Sequence, residues 1–212
     1  MLERVRDYVG KLPYMKFSQA QRLQEFIVEN GIRDCLELGF YHGVSSAYVA
    51  EILKDLGGGS LTTIDLISAQ ERQPNIDQVL SDLGLDSYVT VFYEPRSYTW
   101  RLMKLLEAHS EPIYDFCYID GGHSWDVSGF GFFLVEKLVR PGGWLLFDDL
   151  DWTYERMIGS EGKSAFMRRM PEEEIATRQV RKVWELLVKR HPSFHNIRED
   201  GQWGFAQKTG GL

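Results

Sequence analysis

Short continuous apolar runs alternate along the chain with longer stretches in which apolar residues recur every three or four positions. The short runs read as buried strands: Asp34 to Leu38, Leu61 to Leu66, Tyr88 to Tyr93, Tyr114 to Ile119 and Trp144 to Phe147. Between them lie helical stripes. Leu23, Phe26 and Ile27 mark one that ends near Gly31, with Ser18 and Gln21 as its capping box. Tyr48, Val49, Ile52, Leu53 and Leu56 mark a second, opened by Ser45 and stopped by Gly57–Gly58–Gly59. Ile76, Val79, Leu80 and Leu83 mark a third, closed by Gly84, and Leu102, Met103, Leu105 and Leu106 a fourth. Phe130, Phe133, Leu134 and Leu138 give a fifth, followed by a Pro141–Gly142–Gly143 turn. Ile175 to Val188 reads as one long amphipathic helix. Two last strands, Phe194 to Arg198 and Trp203 to Gln207, flank Glu199–Asp200–Gly201, a hairpin signal.

Strands that are apolar throughout, each followed by a helix, imply a parallel sheet covered on both faces. The expected fold is therefore α/β and Rossmann-like: a doubly wound, mostly parallel sheet, with the C-terminal hairpin adding an antiparallel edge. Ligands of such sheets sit beyond the carboxyl ends of the strands, near the switch in strand order. The chemically distinctive residues fall at those ends.

A length of 212 residues suits a single domain over 1–212. Composition is that of a globular protein, with 43% apolar and 26% charged residues. The net charge of −7 repels phosphate backbones and argues against a nucleic-acid partner. The basic stretches at Arg168–Arg169 and from Arg178 to Arg190 are interleaved with glutamates and read as solvated helix faces. Cys35 and Cys117 fall inside strands and read as free, buried thiols. No apolar run is long enough for a membrane span, and the first residues show no signal-peptide pattern, so a cytoplasmic location is the expectation.

The first strand runs into Glu37–Leu38–Gly39–Phe40–Tyr41–His42–Gly43. Gly39 and Gly43 permit a tight turn and a close approach of backbone to ligand. Phe40 and Tyr41 replace the central glycine of the dinucleotide fingerprint and would crowd a pyrophosphate, so they suit a ligand without one. Asp65 closes the second strand, where a carboxylate can take both ribose hydroxyls. Its plainer reading is a helix cap or a solvated group.

Glu37-x-Gly39-x-x-x-Gly43 followed by Asp65 resembles motifs I and II of class I S-adenosylmethionine (SAM)-dependent methyltransferases. The resemblance spans roughly residues 30–150. It includes Ile119–Asp120–Gly121–Gly122–His123 and Pro141–Gly142–Gly143 running on to Asp148–Asp149. That succession is similar to a bacterial branch with macrocin-type sugar O-methyltransferases and cephalosporin-hydroxylase-like proteins. The resemblance implies that Glu37, Gly39, Gly43, Asp65 and Asp120 border SAM, with Asp65 on the ribose, and that Ser97 lies near adenine. Pro95 makes that last loop atypical.

Asp120, Asp148 and Asp149 end two neighbouring strands, and three converging carboxylates repel unless neutralised. Mg²⁺ with oxygen ligands would do this and would lower the pKa of a bound hydroxyl. The resembled branch uses carboxylates at these positions as metal ligands. The alternative is that Asp120 orders its loop, Asp148 caps a turn and Asp149 is solvated. His123, three residues past Asp120, is the candidate general base, with a loop-bracing role as its alternative.

The sequence thus points to SAM-dependent methylation of a hydroxyl on a small molecule, a sugar or secondary metabolite, with a divalent ion and His123 assisting. Residues 1–30 would form a helical cover and 151–171 a substrate-side insertion. Trp125, Trp152 and Tyr154 would line the mouth or pack its rim. Apolar positions on the first helices offer a surface for pairing two chains. Competing readings are a metal-independent N- or C-methyltransferase, a nicotinamide dehydrogenase and a non-catalytic binding protein.

Overall fold

The computed structural model describes residues 2–158 and 167–210. Seven strands form one sheet in the order β3-β2-β1-β4-β5-β7-β6. They are β1 (Asp34–Leu38), β2 (Ser60–Leu66), β3 (Val89–Glu94), β4 (Tyr114–Ile119), β5 (Val139–Phe147), β6 (Phe194–Asp200) and β7 (Trp203–Lys208). The first five are parallel, and the β6–β7 hairpin pairs antiparallel onto β5 through β7. This is the expected Rossmann-like, mostly parallel sheet with an antiparallel C-terminal hairpin.

Alternate residues of each strand serve opposite cores. Phe116 and Tyr118 of β4, with Trp144 and Leu146 of β5, meet α1 (Leu2–Val9), α2 (Phe17–Glu29), α3 (Val44–Asp55) and α4 (Ile76–Leu83). Cys117, Ile119, Leu145 and Phe147 meet α5 (Tyr98–Ala108), α6 (Trp125–Leu138) and α8 (Gln179–Val183) on the other face. Each fully buried aliphatic side chain contributes roughly 1.5–3 kcal/mol. Both cysteines are buried, and burial pushes both thiols well above their ordinary range. The apolar stripe of α1, Leu2, Val5 and Val9, is buried in the first core, where α1 packs on α3.

Four local expectations differ from the structure. Helix α2 begins at Phe17, and it is Gln19, not Gln21, whose side chain accepts the Lys16 N–H at 2.8 Å. Helix α6 turns a different face inward: Phe132, Val135 and Leu138 are buried, while Phe130 and Phe133 are 58% and 42% exposed. Small residues decide this. Gly131 abuts the Tyr98 ring and Gly129 faces Leu187, so the helix settles closely on that side. The Pro141–Gly143 turn lies within β5, as a register shift between Tyr114↔Val139 and Phe116↔Trp144.

The long helix over 175–188 is broken. A short α7 (Glu172–Ala176) ends before Thr177, and α8 runs on into a π-helical turn over Trp184–Val188. The break lets Gln179 bridge two elements. Its Nε2 donates to the Glu174 carbonyl at 2.9 Å, and its Oε1 accepts the Trp125 N–H at 2.7 Å. The basic residues here form ion pairs: Arg178 and Arg181 with Asp151, and Arg181 and Lys189 with Glu199. Gly159 and Gly162, expected in loops, lie outside the described residues. No helix among the described residues is long and apolar enough to cross a membrane.

Candidate active site

The chain order reverses between β1 and β4, and the site opens there. Gly39 leaves β1 with φ +89°, and a Cβ on it would lie 2.7 Å from both the Asp120 carbonyl and Gly121 Cα. Gly43, with φ +86°, sits against Ile76. These glycines therefore serve backbone packing directly. The carboxylate of Asp65 pins the loop between them: Oδ2 accepts the N–H groups of Phe40 at 2.9 Å and Tyr41 at 2.8 Å. His42, which the sequence leaves without a proton partner, donates Nδ1–H to the Pro74 carbonyl at 2.6 Å.

Glu37 lies beneath this loop, 1% exposed. Ser46 and Thr63 donate hydroxyls to its Oε2, while Oε1 has no hydrogen-bond partner among the described residues. Burial pushes its carboxyl pKa up, opposed by the surrounding hydroxyls.

A cavity of about 300 Å³ lies above the loop, bordered by Gly39, Phe40, Tyr41, Asp65, Asp120 and His123 among others. Asp149, Trp152, Met157, Tyr14 and Met15 complete its wall. Three of these residues, Tyr14, Tyr41 and Asp149, have left-handed backbone at φ 74°, 52° and 56°. Such conformations cost non-glycine residues energy and concentrate at functional sites. Tyr14 sits edge-on to Tyr41 at 4.8 Å, and the Arg72 guanidinium covers the Tyr41 ring at 3.3 Å. Tyr14 stands in a short inter-helix loop, where no periodicity marks it; it was missed in the sequence.

Ligand atoms of Asp120, His123 and Asp149 all lie within 4.8 Å of one another. His123 Nε2 is 3.1 Å from Asp149 Oδ2, and its ring lies over Trp152 at 4.5 Å. Asp148 is not part of this group. Its Oδ2 accepts the Tyr118 hydroxyl at 2.5 Å and its Oδ1 accepts the Asp149 N–H at 2.7 Å. Burial, then the charges of Asp148 and Asp149, push the Asp120 carboxyl well above its ordinary range. Burial also raises Asp148, against the pull of the Tyr118 hydroxyl.

Ser97 is placed away from this cavity, as the N-cap of α5, accepting the Thr99 N–H at 3.2 Å. The neighbouring Glu94 is buried and paired with Arg101 at 2.6 Å. Trp152 borders the cavity with Tyr154 edge-on behind it at 4.7 Å. Trp125 borders a different one, with Gln179 and Leu186.

The carboxylates of Asp120 and Asp149, converging beside His123, fit a hard divalent cation: they are oxygen donors that repel each other unless neutralised. A loop turned by two left-handed glycines beside Asp65 fits a cofactor with a ribose and no diphosphate at the helix start.

The sequence profile of a family described as a methyltransferase domain matches residues 36–150, and the chain belongs to that family. Solved structures share the fold. An O-methyltransferase from Bacillus cereus in complex with SAH superposes with a TM-score of 0.69 at 20% identity, covering 98% of this chain and 90% of that one. The O-methyltransferase of tomaymycin synthesis from Streptomyces achromogenes, in complex with SAM, gives 0.67 at 18% identity, covering 99% and 89%. An SAH-bound methyltransferase from Podospora anserina gives 0.66 at 15% identity, covering 100% and 87%. No curated protein matches the sequence.

Proposed function

We propose that this methyltransferase carries a methyl group from SAM to a hydroxyl of a small molecule at the junction of Asp120, His123 and Asp149. The observation that carries the reading is the convergence of those three side chains on the rim of the glycine-loop cavity. The neighbours that hold SAM or SAH support the choice of cofactor. Gly39 and Asp65 form the SAM side of the site, and Glu37 and Gly43 support their loop from behind. Asp65 keeps the loop in shape through Phe40 and Tyr41 and offers its remaining lone pairs to the ribose.

Methyl transfer requires acceptor oxygen, methyl carbon and sulfur in line, so most of the protein's task is placement. His123 takes the acceptor's proton, with Asp149 orienting the imidazole through the 3.1 Å contact to Nε2. Asp120 and Asp149 would hold a divalent ion such as Mg²⁺, with Asp148 behind them on Tyr118. A bound ion would neutralise these carboxylates and acidify an acceptor hydroxyl. Residues 1–30 and the segment after β5 act as covers: Tyr14, Met15, Trp152 and Met157 exclude water from the reacting atoms.

Calorimetric titration of SAM with Mg²⁺, and again with EDTA, tests this, with NAD as control. SAM binding without NAD binding is the expected result. NAD binding alone, or neither, overturns it. Asp65→Ala should weaken SAM by about tenfold, the worth of one or two hydrogen bonds to a charged group.

A further inference from the structure

A second cavity, of about 550 Å³, adjoins the first. It lies between the N-terminal arm with the start of α2 and the β6–β7 turn. The two share Tyr14, Met15, Asp120 and Asp149. Gly39, Asp65 and His123 border only the first, and Tyr118, Asp148 and the turn residues Asp200–Trp203 only the second.

We infer that this second chamber is the acceptor site, and that it takes a hydroxyl-rich molecule rather than a flat apolar one. The inference rests on the methyl-transfer reading above. At about 300 Å³ the first cavity is at the lower end of the range for a single ligand, roughly 300–1,000 Å³. Cofactor and acceptor therefore need more room than it offers. In-line transfer brings donor and acceptor to one point from opposite sides. The wall shared by the two cavities supplies that point, because Asp120 and Asp149 face both. Asp149 also stands 3.1 Å from His123 Nε2, so the candidate base lies directly beside the shared wall.

The chamber's lining decides the ligand class. Lys16, Gln19 and Gln202 bring donors, Asp148 brings an acceptor, and Arg22 and Asp200 line it as an ion pair. Trp203 also borders it, 2% exposed, and its Nε1–H makes no hydrogen bond among the described residues. A flat hydrocarbon would desolvate the free ends of Lys16, Gln19 and Gln202 with nothing to pair them, and a site built to hydrogen-bond a ligand discriminates strongly against analogues that lack the matching groups. Hydroxyls, which both donate and accept, satisfy such a mixed lining. The cavity bordered by Trp125 and Leu186 is an unsuitable alternative, since none of Asp120, His123 and Asp149 borders it.

The test uses the full chain with SAH bound, and methyl β-glucopyranoside and catechol as probes in saturation-transfer NMR. Gln202→Trp fills the chamber from an exposed turn, and Lys16→Glu reverses a charge on its opposite wall. The expected result is glycoside binding to the unaltered protein, weakened about fivefold or more in both variants, the scale of one or two hydrogen bonds. SAH affinity, measured by calorimetry, stays within about twofold. Catechol bound in preference to the glycoside overturns the ligand class. Glycoside binding that is absent, or equal in all three proteins, overturns the chamber assignment. Loss of SAH affinity in the variants does so too, by giving the chamber to the cofactor. Failure of the unaltered protein to bind SAH would instead count against the methyl-transfer reading itself.

Discussion

Gly39 and Gly121 meet back to back: a Cβ on Gly121 would lie 3.0 Å from both Gly39 Cα and Gly39 N. This contact joins the loop after β1 to the loop after β4, and it sets Asp120 beside the glycine turn. Gly39→Ala should therefore cost more than its left-handed φ alone demands. Gly142 supplies the control, with φ +84° and nothing among the described residues within 4 Å of an added Cβ. Gly142→Ala should lose about 1–2 kcal/mol, the penalty of a left-handed backbone. Gly39→Ala should lose that and about 1–3 kcal/mol more from overpacking. Urea unfolding of both variants measures the difference, and equal losses would remove the packing role.

Asp149 combines a carboxylate on His123 with a strained backbone at φ +56°. Asp149→Gly keeps that backbone and removes the carboxylate. It should hold or raise stability by up to about 1 kcal/mol while turnover collapses, since glycine adopts this conformation without strain. His123→Ala should lower kcat about 10²- to 10⁴-fold, the usual worth of a general base, with SAM affinity unchanged. A large fall in SAM affinity in His123→Ala would place the imidazole on the cofactor instead.

Most of the fold was legible because strand and helix periods are local. Leu36, Cys117 and Leu145 sit in runs apolar on both faces, and such runs mean a sheet covered on both sides. The features that escaped depend on contacts between distant segments. Phe130 and Phe133 look like a buried stripe until Gly129 and Gly131 are seen against Leu187 and Tyr98. Thr177 and Arg178 carry no helix-breaking signal; Gln179 rewards the break by reaching Glu174 and Trp125. At the site, Asp120, His123 and Asp149 were visible as strand-end chemistry. The turning of Asp148 onto Tyr118 was not, because it depends on a strand two places away in the chain's α/β alternation.

Glu37 offers a pH test. Its carboxyl is raised by burial, so folding favours the protonated form. That contribution is fully present below the unfolded value near 4.5 and is lost as pH rises through the folded value. Glu37→Gln stays neutral at every pH and can still accept from Thr63. The variant should gain stability relative to the parent as pH rises above about 4.5. Glu37→Leu should instead lose about 1–3 kcal/mol by stranding the Ser46 and Thr63 hydroxyls. Thermal melts in EDTA across the neutral range check both. A Glu37→Gln curve parallel to the parent's would show that the carboxyl ionises in the fold at no cost.

Glu199 makes the opposite case. The Lys189 ammonium, then the Trp184 N–H and Arg181, hold its carboxyl down to about 2, from an ordinary value of 4.5. The bond from Trp184 Nε1 is 2.8 Å long and ties the π-helical turn to β6. A depressed value means that the stabilisation is complete above about 4.5 and fades as pH falls toward about 2. Glu199→Gln keeps an acceptor for Trp184 but loses the charge that Lys189 and Arg181 require. Parent and variant should therefore differ most near neutrality and converge in acid. The carboxylate is 31% exposed, so salt should shrink the difference as well. Urea midpoints at about pH 6 and about pH 3, each at low and high salt, test this. A difference that persists unchanged in acid would assign the loss to packing around Trp184 rather than to the charge.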